Sequence, residues 1–155
     1  MSTTINPNKA LWEKGDFTRI AESMRESGEA LVMTLGITDG LEVLDLGCGD
    51  GTTALPAARL GANVLGVDIA SNLVEAGNAR AQSLGLNCRF QEGDASDLSE
   101  LEDDSFDLVV SIFGAMFAPS APATRFPRPV GVRDVGRRER GRSCFYFFSC
   151  WLRSS

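Results

Sequence analysis

Apolar residues in this chain fall into two patterns, short continuous runs and positions spaced three or four apart. The continuous runs predict strands at about 42–46, 63–68 and 106–112, and a further strand is placed at about 88–92. Leu108, Val109 and Val110 form an unbroken apolar stretch, as expected of a parallel strand buried on both faces. The spaced positions predict helices. Asp16 is placed as the N-cap of a helix whose buried face is Phe17, Ile20, Ala21 and Met24. A second turn or a continuation of that helix through Ala30, Leu31 and Leu35 stops at Gly36. A helix at about 53–60 tolerates Pro56 in its first turn and ends at Gly61. Ser71 or Asn72 caps the next one, which runs through Leu73, Ala76 and Ala79 to Leu84, closed by Gly85. Leu98 and Leu101 predict a short covering helix before the fourth strand, and residues 8–15 read as a polar segment holding Leu11 and Trp12. Strands separated by helices are βαβ arithmetic, which predicts an α/β fold with right-handed crossovers rather than a barrel or bundle.

The pattern fails after Pro119. Pro122, Pro127 and Pro129 exclude a continuous helix, and residues 130–142 are rich in glycine and arginine without periodicity. Residues 144–152 are apolar and aromatic, with the composition of an aggregation-prone strand, and too short to span a bilayer.

Charge divides the chain at the same place. Residues 1–119 carry 7 Lys+Arg against 19 Asp+Glu; residues 120–155 carry 8 arginines against Asp134 and Glu139. The expected organisation is a helical cap over 1–40, a ligand-binding core over 41–118 and an atypical tail over 119–155. The tail is expected to be foreign to the fold, through a reading-frame change or truncation. Its arginines lack the interleaved motifs of a nucleic-acid surface, and no nucleic-acid partner is expected.

At 155 residues with 43% hydrophobic and 23% charged content, the totals describe one soluble domain. The first residues have neither the basic start nor the apolar core of a signal peptide, and no apolar run is long enough for a membrane span. Cys48, Cys88, Cys144 and Cys150 show no metal-type spacing, so reduced thiols, a cytoplasmic location and no metal site are expected. Histidine is absent, which removes the usual general base and the commonest metal ligand.

The densest chemistry lies at Val43-Leu44-Asp45-Leu46-Gly47-Cys48-Gly49-Asp50-Gly51, where a buried strand opens into glycines at alternate positions. A helix start follows at Thr52 and Thr53, so the loop's N–H groups are expected to face a ligand. The next strand ends in Asp68. Strand, glycine loop, helix, strand and acid together mark a nucleoside-binding half of a doubly wound sheet. In a dinucleotide loop of the form G-x-G-x-x-G the third glycine would stand at Thr52, one residue later than Gly51.

Leu44-Asp45-Leu46-Gly47-Cys48-Gly49-Asp50-Gly51 resembles motif I of the class I S-adenosylmethionine-dependent methyltransferases, especially their small-molecule, ubiquinone/menaquinone-type domains. The resemblance runs from about Trp12 to Ala118. It includes Gly93-Asp94-Ala95 after the third strand and Asp104-Ser105-Phe106-Asp107-Leu108-Val109-Val110 at the fourth. It implies a Rossmann-like open parallel sheet with helices on both faces, its C-terminal strands incomplete or atypical here. It further implies S-adenosyl-L-methionine as cofactor, held by Asp45, Gly47, Cys48, Gly49, Asp68, Ile69, Asp94, Ala95 and Ser111. In the family the acid at Asp68 grips the ribose hydroxyls and the acid at Asp94 lies near the adenine amino group. Asp45 serves the methionine ammonium, directly or through water.

The resemblance implies methyl transfer to a small-molecule acceptor. The alternatives are a cofactor-binding domain without turnover and, third, an NAD-dependent oxidoreductase. Each residue also has a plainer reading. Asp45 and Asp94 could serve as turn or cap residues, Asp68 as a solvated strand end, and Cys48 as a small filler. Trp12 and Phe17 could cover a cofactor or staple the core, and Met116 and Phe117 could line the methyl site or pack in the core. No catalytic residue stands out.

Overall fold

The computed structural model describes residues 6, 8–15, 17–101, 105–112 and 114, together with the backbone of 144–148. In chain order the elements are α1 (Lys9–Lys14), α2 (Phe17–Thr34), β1 (Glu42–Leu46), α3 (Ala54–Arg59), β2 (Asn63–Asp68), α4 (Ser71–Leu84), β3 (Cys88–Glu92), β4 (Leu108–Ile112) and β5 (Cys144–Phe148). The sheet is open and parallel, in the order β3-β2-β1-β4-β5. The chain therefore reverses its direction of travel across the sheet between β1 and β4, the switch point beside which ligands sit in such folds. Among the described residues no helix is long and apolar enough to cross a membrane.

Alternation along the strands gives each face its own core. Val43, Val64, Phe90, Leu108 and Val110 pack with Val32 and Leu35 at the end of α2, with α3, and with Val74 and Ala81 of α4. Leu44, Leu46, Leu65, Val67 and Val109 face the other way, against Leu98 and the half-buried Ala95, Leu101 and Phe106. The ring of Phe90 sits between two glycines: a Cβ on Gly66 or on Gly77 would come within 2.8 Å or 2.7 Å of it. Helix and sheet approach this closely because neither backbone carries a side chain there.

The α/β class, the open parallel sheet and the first three strands are as predicted. β5 pairs with β4 throughout, from Leu108 opposite Cys144 to Ile112 opposite Phe148, so part of the atypical tail occupies the sheet edge. Several expectations need correction. Residues 9–14 are helical, although none of them is buried. The segment around Leu98 covers the sheet as predicted, but as turns instead of a helix. Asp94 and Asp97 each accept a hydrogen bond from the backbone N–H two residues on, which competes with helical pairing. Ala70, not Ser71, is the N-cap of α4, and it makes no side-chain cap bond. The predicted apolar face of α2 is also displaced, since its buried residues are Ala21, Gly28 and Val32 while Ile20 is 53% exposed. The predicted N-cap Asp16, Asp104, Met116 and Phe117 lie outside the described residues.

Candidate cofactor site

A cavity of about 420 Å³ opens at the C-terminal ends of the strands, within the roughly 300–1,000 Å³ range of small-molecule sites. Its floor is Asp45 and the glycine loop after β1. Asp68 and Ile69 enter after β2, Gly93, Asp94 and Ala95 after β3, and Ile112 and Gly114 at the end of β4. Phe17, Ile20, Ala21 and Met24 of α2 form one wall, with Asn6, Asn8 and Trp12 beside them. The apolar face predicted for α2 is thus a cavity wall more than a core stripe. Trp12 and Phe17 touch each other there, with ring centroids 4.8 Å apart.

Four carboxylates line the cavity (Asp45, Asp50, Asp68 and Asp94), and no lysine or arginine is among its described lining residues. Asp45 is 2% exposed. It accepts the Ala54 backbone N–H, and its Oδ2 has no hydrogen-bond partner. Burial above all, and then the nearby Asp68 charge, push its pKa up to about 7. Asp68 accepts N–H groups from Gly49 (2.8 Å) and Ala70 (2.9 Å). Burial nevertheless raises its pKa, the two bonds opposing the effect. At Asp94 burial also pushes upward, but hydrogen bonds from Ser96 and Asn6 outweigh it and hold the carboxyl below its ordinary range.

The loop is more self-contained than expected. Gly47 and Cys48 donate their N–H groups to Val67 O, Gly49 donates to Asp68, and Gly51 donates to Cys48 O. These four amides are therefore engaged within the protein. Gly47, Gly49 and Gly51 all have positive φ (66°, 55° and 97°), the region that favours glycine. Gly114 packs so closely on Gly47 that a Cβ at 114 would collide with the Gly47 backbone. Burial raises the Cys48 thiol well above its ordinary pKa, so this residue fills space and is a poor nucleophile.

The structure thus brings together Asp45, Gly47, Cys48, Gly49, Asp68, Ile69, Asp94 and Ala95 around one cavity. Ser111 is not among the lining residues. Its hydroxyl is buried and donates to Leu46 O at 2.7 Å, tying β4 to β1.

Asp50 went unremarked in the sequence. It is 1% exposed and pairs through Oδ2 with Arg25 of α2 and Arg80 of α4, each at 3.0 Å. Arg80 also donates to the Asp50 carbonyl at 2.7 Å. The loop is thereby fastened to helices on both sides. The available signal was an acid inside a tight, buried glycine loop, which needs a cationic partner somewhere in the chain.

The sequence profile described as "Methyltransferase domain" matches residues 43–126, more than half of the chain. The chain belongs to the class I S-adenosylmethionine-dependent methyltransferase family. The match extends past the boundary expected at 118. Among relatives of this methyltransferase domain, the uncharacterised protein Rv1405c of Mycobacterium tuberculosis is 41% identical over 139 residues, covering 86% of this chain and 50% of that protein. The ubiquinone biosynthesis O-methyltransferase of Maricaulis maris is 39% identical over 74 residues, covering 48% of this chain and 29% of that enzyme. The crystal structure of the YcgJ protein from Bacillus subtilis superposes with a TM-score of 0.56 at 33% identity, over 61% of this chain and 41% of that one. The chain spans about half the length of Rv1405c.

Proposed function

We propose that this methyltransferase domain binds S-adenosylmethionine in the cavity at the strand ends and transfers its methyl group to a small-molecule acceptor. The observation that carries the reading is the unpartnered, buried Oδ2 of Asp45 in a cavity that Asp68 and Asp94 also line, with no lysine or arginine among its described lining residues and with the fourth carboxylate, Asp50, already paired to Arg25 and Arg80. A buried acid with an open acceptor site calls for a donor, and a cationic one satisfies the charge as well. S-adenosylmethionine carries an ammonium and a sulfonium against one carboxylate. A nicotinamide dinucleotide would instead bring a diphosphate to an acidic wall, beside a loop whose amides at 47, 48, 49 and 51 are already engaged.

Asp45 would hold the ammonium, directly or through water. Asp68 would accept the ribose hydroxyls and Asp94 would receive the adenine amino group, with Ile69 and Ala95 against the base. Charge-assisted bonds of this kind are each worth about 1.5–3 kcal/mol. When bound, the cofactor supplies a methyl group already activated by its sulfonium. The protein's contribution is binding, orientation and exclusion of water, with proximity to the acceptor doing the rest. No histidine base is required for a carbon, sulfur or readily deprotonated oxygen acceptor.

A second reading, retention of the cofactor without turnover, draws on the length of Rv1405c that lies outside the match. Calorimetric titration with S-adenosylhomocysteine and with NAD separates the possibilities. Selective binding of S-adenosylhomocysteine is expected, and selective binding of NAD would overturn the assignment. Binding without turnover on a panel of acceptors would favour the second reading. Asp68→Ala is expected to weaken S-adenosylhomocysteine by about tenfold or more, the loss of a charge-assisted contact, and to lower the urea midpoint because the Gly49 and Ala70 N–H groups lose their acceptor. Unchanged affinity would remove Asp68 from the ribose role.

A further inference from the structure

α1 has six residues, and none is buried. A helix that short is not stable by itself in water, and Trp12 gives it a ring contact with Phe17 at the start of α2. Its polar contacts reach two places, the turn from β2 into α4 and the C-terminal end of β3. Lys9 Nζ donates to the Ile69 carbonyl just past β2 (3.0 Å), and it also bonds the Glu92 carboxylate at the end of β3. One turn on, Glu13 accepts the hydroxyl (2.8 Å) and the backbone N–H (3.3 Å) of Ser71, the first residue of α4. Glu13 thereby supplies from α1 the side-chain cap that α4 lacks locally. Lys9 and Glu13 pair with each other at 2.8 Å, so the two anchors form one network on one side of the helix. Upstream, Asn6 donates to Asp94 at 2.9 Å. Asn6, Asn8 and Trp12 line the cavity that this segment overhangs.

We propose that Lys9 and Glu13 are positioning residues, forming a polar latch that holds α1 as a lid over the cavity and sets how long a bound ligand is retained. The retention half rests on the cofactor reading given above. The closure half does not, because it concerns the ligand-free protein. A latch of partly exposed polar contacts is weak enough to open without unfolding the sheet behind it.

Trp12 reports on the lid. The chain has two tryptophans, so a Trp151→Phe background leaves Trp12 as the single emitter. In that full-length background, Lys9→Met removes the Ile69, Glu92 and Glu13 contacts together, while Lys9→Arg retains a long cationic donor. Three readouts are compared: acrylamide quenching of Trp12 without ligand, the stopped-flow dissociation rate of S-adenosylhomocysteine, and the urea midpoint. Lys9→Met is expected to raise quenching and to speed dissociation about fivefold to tenfold, since losses of this kind fall mainly on the off-rate. The urea midpoint should hold, and Lys9→Arg should stay near the parent in all three. Unchanged quenching in Lys9→Met, or a lowered midpoint without greater Trp12 exposure, overturns the latch. Should S-adenosylhomocysteine fail to bind the parent protein, the cofactor reading falls while quenching still decides the closure. Glu13→Ala provides an independent variant, expected to reproduce the quenching change through loss of the Ser71 contacts.

Discussion

Replacing Asp45 with asparagine should abolish a pH dependence of folding that the parent protein carries. The carboxyl is buried on β1, accepts the Ala54 N–H and leaves Oδ2 unpartnered. Burial first, and the Asp68 charge second, raise its pKa from 3.8 to about 7. In the unfolded chain it titrates as an ordinary carboxylate. Between those two pH values the folded protein keeps a proton that the unfolded chain has released. The stability due to this group is therefore full below about pH 4 and is lost as pH rises through about 7. The interval between the two pKa values corresponds to about 4 kcal/mol as an upper bound. Water penetration and relaxation around the ion reduce that to about 2 kcal/mol as a working figure. Asp68 is also raised by burial and contributes with the same sign, so the quantity to follow is the difference between parent and Asp45→Asn. Urea unfolding at about pH 5 and about pH 8 samples the upper two-thirds of that interval: the parent should lose roughly 1–2.5 kcal/mol relative to the variant on going to the higher pH. Parallel profiles would refute the reasoning. Ligand binding should show the opposite slope. A cationic ligand favours ionised Asp45, so S-adenosylhomocysteine, which keeps the ammonium, should bind the parent more tightly as pH rises to about 8, with this component absent from the variant.

Two further outcomes test the framework around the loop. Asp50→Asn removes the shared partner of Arg25 and Arg80, and both arginines are partly exposed and can turn to water. A loss of about 1–3 kcal/mol is expected in urea unfolding. If the midpoint does not move, the ion pairs are not what fastens the loop. Gly77→Ala gains about 1 kcal/mol of helix propensity but drives a Cβ to 2.7 Å from the Phe90 ring, for a net loss of about 1–2 kcal/mol. A midpoint that rises would show that the ring has room to move.

What the sequence made legible follows from how parallel sheets bury their strands. Covered on both faces, β1 and β2 appear as apolar runs, and their bounds match those predicted, as do those of the edgeward β3, where Phe90 alone is buried. α4 was equally legible because Gly85 adopts the left-handed cap its position implies. The acids of the site could be found for a related reason. Asp68 closes β2, Asp94 lies in the turn after β3, and Asp45 stands one residue before the end of β1, next to the glycines, so the strand pattern itself marks them.

The roof of the site is hidden because it is built from contacts between residues far apart in the chain. Lys9 reaches Ile69 and Glu92, Glu13 reaches Ser71, Asn6 reaches Asp94, and Arg25 and Arg80 converge on Asp50. Seen alone, each is a solvated charge or an ordinary polar residue on a helix, and no period or spacing links it to its partner. The same difference divides the energetics. The floor is held by the packed apolar side chains of both cores and by the buried Asp50 carboxylate on Arg25 and Arg80, whereas α1 is held by partly exposed polar contacts of individually small net worth and by the Trp12–Phe17 contact. A rigid floor beneath a weakly held roof is an arrangement in which the ligand can enter without disturbing the sheet. Floor and roof are then separable by mutation: substitutions at Asp45 or Asp68 should weaken binding while Trp12 quenching in the ligand-free protein holds, and substitutions at Lys9 or Glu13 should raise that quenching and weaken binding through faster release.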